Sequence, residues 1–200
     1  GEASFDGHAL RFSARPFAPK TFAVRLAEGP KVEQPRSEVV ALPCNEQGYT
    51  NDAFYGFADI DGRGNSYAAE LLPEKLVSAN TEFRFGEFGR PNILRCEGDT
   101  LRWEAGKGYR TLYLLAAATD RDRTAEFRTP SGSIRLSVPY YSGFFGQWGG
   151  IEQQFQGFVR DAEIAWVGTH RHSRNGNEPY TFTYMYRLAI PLQADDDCVV

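Results

Sequence analysis

Three stretches hold side chains whose types and spacing could do chemistry. In Asp59-Ile60-Asp61-Gly62-Arg63-Gly64-Asn65, counting Asp59 as position one puts Asp61 at three, Gly64 at six and Glu70 at twelve. That is the ligand spacing of a helix–loop–helix calcium site. Arg63 stands at position five, however, where an oxygen ligand is required, and the lead-in Phe54-Tyr55-Gly56-Phe57-Ala58 is no amphipathic helix. The expectation is a Gly-rich turn whose acidic side chains bond its own backbone. Asp59, Asp61 and Glu70 stay as the residual metal candidates. Thr169-His170-Arg171-His172 places two imidazoles at i and i+2, which a strand presents on one face, and Glu178 stands nearby as a third donor. That pattern suits a metal pair. The polar, loop-like surroundings favour a hydrogen-bonded structural cluster at a strand end, and no bound metal is expected.

The third stretch runs from Tyr140 to Gly150 and packs five aromatics and four glycines into 11 residues. They cannot all be core. Aromatic faces stack on the C–H faces of pyranose rings, and an amide can bond hydroxyls. Tyr141, Phe144, Phe145, Gln147 and Trp148, with His172 as a polar neighbour, are therefore the carbohydrate-binding candidates. The competing expectation is an aromatic plug that packs this domain on a neighbour.

No catalytic residue is expected. The chain has 26 Asp and Glu, so carboxylate pairs are easy to imagine and none is specific. Neither GxSxG, HExxH nor a phosphate-binding loop occurs. The net charge is -4, without the basic excess of a nucleic-acid binder. No apolar run approaches the ~20 residues of a membrane span. Nucleic acid and membrane are thus not expected as partners. The cysteines, Cys44, Cys96 and Cys198, have neither zinc-site spacing nor an even count. Buried free thiols are expected, with a Cys44–Cys96 bridge as the alternative. The chain starts at Gly1 and its one Met is Met185, which suggests a processed product or a piece of a longer protein.

The elements that must position these residues read as β. The chain has 15 Phe, 10 Tyr and 3 Trp with 20 Gly and 11 Pro, a composition of pleated surfaces and many turns. Leu10 to Leu26 alternates as two half-buried strands around a Pro16–Pro19 break, and Ala27 to Glu38 is polar and reads as a connection. Further on, short β-type runs recur between turn signals: Phe83–Phe85, Thr100–Trp103, Thr111–Ala117, Thr124–Arg128, Ser133–Val138, Ile164–Thr169 and Tyr180–Leu192. Tyr109 to Ala118 is apolar on both faces, which predicts a central buried strand, with a helix as the competitor. Ala68 to Val77 could form a short helix that Pro73 would interrupt. The fold expected is an all-β, jelly-roll-like β-sandwich with at most one or two short helices.

Several pieces, in order, carry a resemblance: Asp61–Pro73 (DGRGNSYAAELLP), Tyr109–Ala117 (YRTLYLLAA), Gly143–Trp148 (GFFGQW) and Ile164–Tyr184 (IAWVGTHRHSRNGNEPYTFTY). Together the chain resembles the C-terminal β-rich region of bacterial α-mannosidases of glycoside hydrolase family 38. The resemblance implies a galactose-binding-like sandwich over residues 31–200, preceded in 1–30 by the trailing strands of another β-domain and a linker. It also implies an accessory, non-catalytic role: packing on the catalytic part of the same polypeptide and shaping the rim of its sugar site. The nucleophile and a divalent metal such as zinc would belong to that part, in a bacterial parent of the periplasm or cytoplasm. Mannose-containing glycans are the implied ligands. A carbohydrate-binding module that grips glycans unaided is the alternative. Two departures stand out: the chain stops at Cys198-Val199-Val200 without a closing strand, and Gly149-Gly150 follows Trp148 where a polar residue is expected.

Overall fold

A computed structural model describes residues 3–7, 9–13, 15–16, 19–23, 25, 29, 37–150 and 156–200. The chain forms two compact units, Gly1–Arg36 and Ser37–Val200. In the first, β1 (Ala3–Phe5) pairs antiparallel with β2 (Leu10–Phe12). Phe5, Leu10 and Phe12 are exposed, so the half-burial expected of Leu10–Ala14 does not occur at its described residues. Phe12 packs instead on Phe22, ring centroids 4.8 Å apart. The expected second strand is absent at Phe22, Ala23 and Arg25; its Val24 and Leu26 lie outside the described residues, as does most of the expected polar connection.

The second unit is all β. Its strands are β3 (Tyr49–Thr50), β4 (Ser66–Ala68), β5 (Lys75–Ser78), β6 (Thr81–Arg84), β7 (Leu101–Arg102), β8 (Thr111–Ala116), β9 (Arg123–Thr129) and β10 (Gly132–Val138). Then come β11 (Gly146–Gln147), β12 (Phe158–Val159), β13 (Ile164–Ser173), β14 (Gly176–Pro191) and β15 (Cys198–Val199). Among the described residues the one helical element is a 3-10 turn, Ala69–Leu71. The helix considered for Ala68–Val77 is limited to that turn. Pro73 lacks the N–H a longer helix needs, and Leu76 and Val77 go into strand. Among the described residues no helix is long and apolar enough to cross a membrane.

The main sheet has the order β3-β4-β13-β14-β8, antiparallel except for the parallel pair β3–β4. Its spine is the β13–β14 hairpin, turned at Arg174–Asn175 with Ser173 opposite Gly176. The layer above is the β9–β10 hairpin. Ala125, Phe127, Ile134 and Leu136 lie half-buried between exposed Arg123, Glu126, Arg128 and Arg135, the alternation of a one-sided strand pair. These residues close over Leu112, Leu114, Leu188 and Ile190 of the main sheet, joined by Leu101 and Val199 from the β7–β15 pair. A second core gathers Tyr49, Ile60, Tyr67, Tyr141, Trp166 and Met185.

β8 lies at the end of the sheet order, not at its centre as its double-sided apolarity suggests. The pattern has another cause. Leu112, Leu114 and Ala116 meet the upper layer, Leu115 packs against the second core, and Tyr113 is partly exposed under the Arg187 guanidinium, 5.2 Å from its ring centre. Cover on both faces, rather than a central place, makes the strand apolar on both sides. Cys44, Cys96 and Cys198 are all free thiols, so the Cys44–Cys96 bridge is absent; Cys96 is exposed and the other two half-buried.

Candidate functional site

β13 holds the two histidines of the sequence pattern in strand geometry, so His170 and His172 share a side and Arg171 takes the other. Their rings sit with centroids 5.5 Å apart. Arg171 faces Glu178, its cross-strand neighbour on β14 region residues 176–179, and donates to it at 2.6 Å. That register removes Glu178 from the histidine side. The carboxylate that does meet the imidazoles is Glu70, on the 3-10 turn directly after β4. His170 Nε2 stands 2.9 Å and His172 Nε2 3.0 Å from the same oxygen, Glu70 Oε1. Glu70, the residual metal candidate at position twelve of the acidic loop, thus turns to the histidines rather than to Asp59 and Asp61.

His172 is fully buried, and both ring nitrogens are engaged. Its Nδ1 lies 2.8 Å from Thr50 Oγ1, which is 2.7 Å from Ser66 Oγ. Thr50 comes from β3 and Ser66 from β4, where Ser66 stands opposite His172. A carboxylate can only accept, so without an ion both Nε2 atoms carry protons and donate to Glu70. A neutral His172 then accepts at Nδ1 from the Thr50 hydroxyl. Asp52 Oδ1 lies 3.6 Å from His172 Nε2 and accepts from Tyr55 and Asn177. Hydrogen bonds from Tyr55 and then Asn177 hold the Asp52 carboxyl below its usual range. The Tyr55 ring also stands edge-on to His172. Glu70 is exposed and His170 partly so, which leaves the cluster open to solvent on that side.

The acidic turn behaves as its glycines and Arg63 suggest. Asp59 accepts from the Gly64 amide at 2.8 Å, and Asp61 from the Arg63 amide at 3.0 Å and the Asn65 side chain at 2.8 Å. Arg174 reaches Asp59 at 3.3 Å. Gly64 adopts φ of 83°, a left-handed conformation that disfavours any side chain with Cβ. Asp61 also accepts from the Tyr141 hydroxyl at 2.9 Å, and that hydroxyl accepts from Arg171 at 3.1 Å. Burial pushes the Asp61 carboxyl up, but bonds from Asn65, Tyr141 and the Arg63 and Asn65 amides outweigh it and hold the group below its ordinary value. Burial likewise opposes the Arg171 charge, and Glu178 and Tyr141 more than restore it.

The carbohydrate candidates do not form one surface. Tyr141 is fully buried in the second core and His172 among hydroxyls, so neither can offer a face to a sugar from solvent. Phe145 packs on Tyr184, centroids 6.2 Å apart. Phe144, Gln147 and Trp148 are exposed, Trp148 to 94%. β11 and β12 pair here, with Gly146 opposite Val159 and Gln147 opposite Phe158. Val159 and Phe158, consecutive on β12, are exposed as well and point to opposite sides of the strand pair. Sequence reasoning missed β12; its Gly157-Phe158-Val159 is too short to alternate.

A family model described as an AziU2-like beta-sandwich domain matches residues 36–200. No curated protein matches the chain.

Proposed function

Since the chain belongs to the AziU2-like beta-sandwich domain family, we propose that its second unit is a non-catalytic accessory sandwich that works by docking on a protein partner. The observation that carries this reading is that Phe144 and Trp148, which flank β11, and Phe158 and Val159 of its partner strand β12 are all exposed. Burying such side chains stabilises an interface by roughly 1.5–3 kcal/mol each, and large aromatics concentrate at interface centres. The partner we propose is the catalytic part of an α-mannosidase carried on the same polypeptide. Support for its identity is the resemblance of residues 61–73, 109–117, 143–148 and 164–184 to the C-terminal region of those enzymes.

Glycan binding by the same strand pair is the second reading. It is favoured by one observation, the bare Trp148 ring next to the exposed Gln147 amide. Calorimetry separates the two. The isolated chain should bind the separately produced catalytic part, and Phe144→Ser with Trp148→Ser should weaken binding by roughly a hundredfold or more. Mannose oligosaccharides should give flat heats. Sugar binding lost in Trp148→Ser, without binding to the catalytic part, would replace docking with the glycan reading. Self-association through the strand pair would overturn both.

A further inference from the structure

We propose that Glu70, His170 and His172 form a binding site for one divalent transition-metal ion of the zinc type. The ligand atoms, one carboxylate oxygen and two imidazole nitrogens, lie within 4.8 Å of one another. Both nitrogens already point at the same oxygen, so three donors converge on one place. Calcium and magnesium take oxygen ligands, whereas paired imidazoles with a carboxylate suit zinc and its first-row neighbours.

Three features show a built site rather than a chance meeting. The i, i+2 spacing on β13 fixes both rings on one side of a paired strand. β14 bulges just there: Gly168 faces Thr183 and His170 faces Pro179, leaving three residues of β14 opposite one of β13. Bulges of this kind re-aim side chains and recur beside functional sites. Finally, Thr50 Oγ1 at Nδ1 holds the His172 ring in orientation from behind. A hydrogen bond to the nitrogen remote from the ion fixes ring and tautomer in histidine metal sites. The exposed sides of Glu70 and His170 give an ion its route in from solvent. Asp52 Oδ1, 3.6 Å from His172 Nε2, stands next to the three as a further acceptor.

Binding has a specific consequence. Each Nε2 exchanges its proton through water for one on the ring's own Nδ1, so both imidazoles stay neutral with a bare Nε2 toward the ion, and the His172 Nδ1–H donates to Thr50. The Thr50 hydroxyl, which donates to His172 in the ion-free state, then turns to donate to Ser66 Oγ. The Thr50 hydroxyl serves either state because it both donates and accepts. None of these residues lies on the β11–β12 strand pair, so the metal site stands or falls apart from the docking proposal.

The test is calorimetric titration of the chain with zinc chloride, with Cys96→Ser as background to remove the exposed thiol. One ion per chain with sub-micromolar Kd is expected. Glu70→Gln and His170→Ala, both reaching the surface, should each weaken binding by roughly a hundredfold or more while the variants stay folded by urea denaturation. Nitrogen-15 spectra should show the His172 proton moving from Nε2 to Nδ1 on zinc addition. Absence of zinc binding at micromolar concentrations, full binding in both variants, or tighter binding of calcium than zinc would overturn the site.

Discussion

At Asp61, one carboxylate ties together a turn and a core. It accepts from its own loop, from Asn65 and from the buried Tyr141, which in turn meets Arg171. Its folded-state pKa lies below the ordinary value, so the charged form stabilises the fold at neutral pH. That contribution is lost as pH falls through the unfolded value of about 3.9 and on to the lower folded one. Asp61→Asn should therefore be less stable than the parent at pH 7, by about 1–3 kcal/mol, with the gap closing below about pH 4. Urea denaturation across that range checks it, and a gap that stays constant with pH would refute the linkage. The acidic turn was legible because its meaning is local: glycines and acids five residues apart must bond the intervening amides. The histidine pair was legible for the same reason. Its carboxylate was not, because Glu70 lies 100 residues from His170 and only the placement of β4 beside β13 joins them. Counting along the loop tied Glu70 to Asp59 and Asp61 only as a residual metal candidate, and Glu178 was nearer in sequence but across from Arg171.

The strands carry the stability. Ile190 of β14 is fully buried beneath the upper layer, against Leu112 and Leu192. Ile190→Ala should cost about 2–5 kcal/mol, read as a lower urea midpoint at unchanged slope. Val167→Thr on exposed β13 surface should stay within about 0.5 kcal/mol. Gly168 is a different case, since a Cβ there would lie 2.5 Å from both Thr183 Oγ1 and the Trp166 ring. Gly168→Ala should destabilise by about 1–3 kcal/mol through overpacking; a variant as stable as the parent would mean that the Trp166 ring can move aside. β9, β10 and most of β14 were readable from period-two alternation. The β13–β14 hairpin runs further than its residues advertise. Asn175, Gly176 and Pro179 look like a long loop, but two residues suffice for the turn, and Pro179 is tolerated next to the bulge that offsets the ladder. β8 shows the converse limit, because sidedness reports cover, not position in the sheet.

For the whole molecule, the proposed role is that of a β-sandwich acting through what it touches. An all-β scaffold with two packed cores carries the paired strands β11 and β12 with their exposed apolar side chains, and β-sandwich family membership over residues 36–200 fits such a module. The most direct measurement is acrylamide quenching of tryptophan fluorescence. Trp166 is buried and Trp103 half-buried, so Trp148 dominates the quenchable emission of the isolated chain. On mixing with the catalytic part proposed as its partner, the Trp148 component should become protected. A Trp148 that is quenched as freely in the mixture as alone would contradict the docking claim.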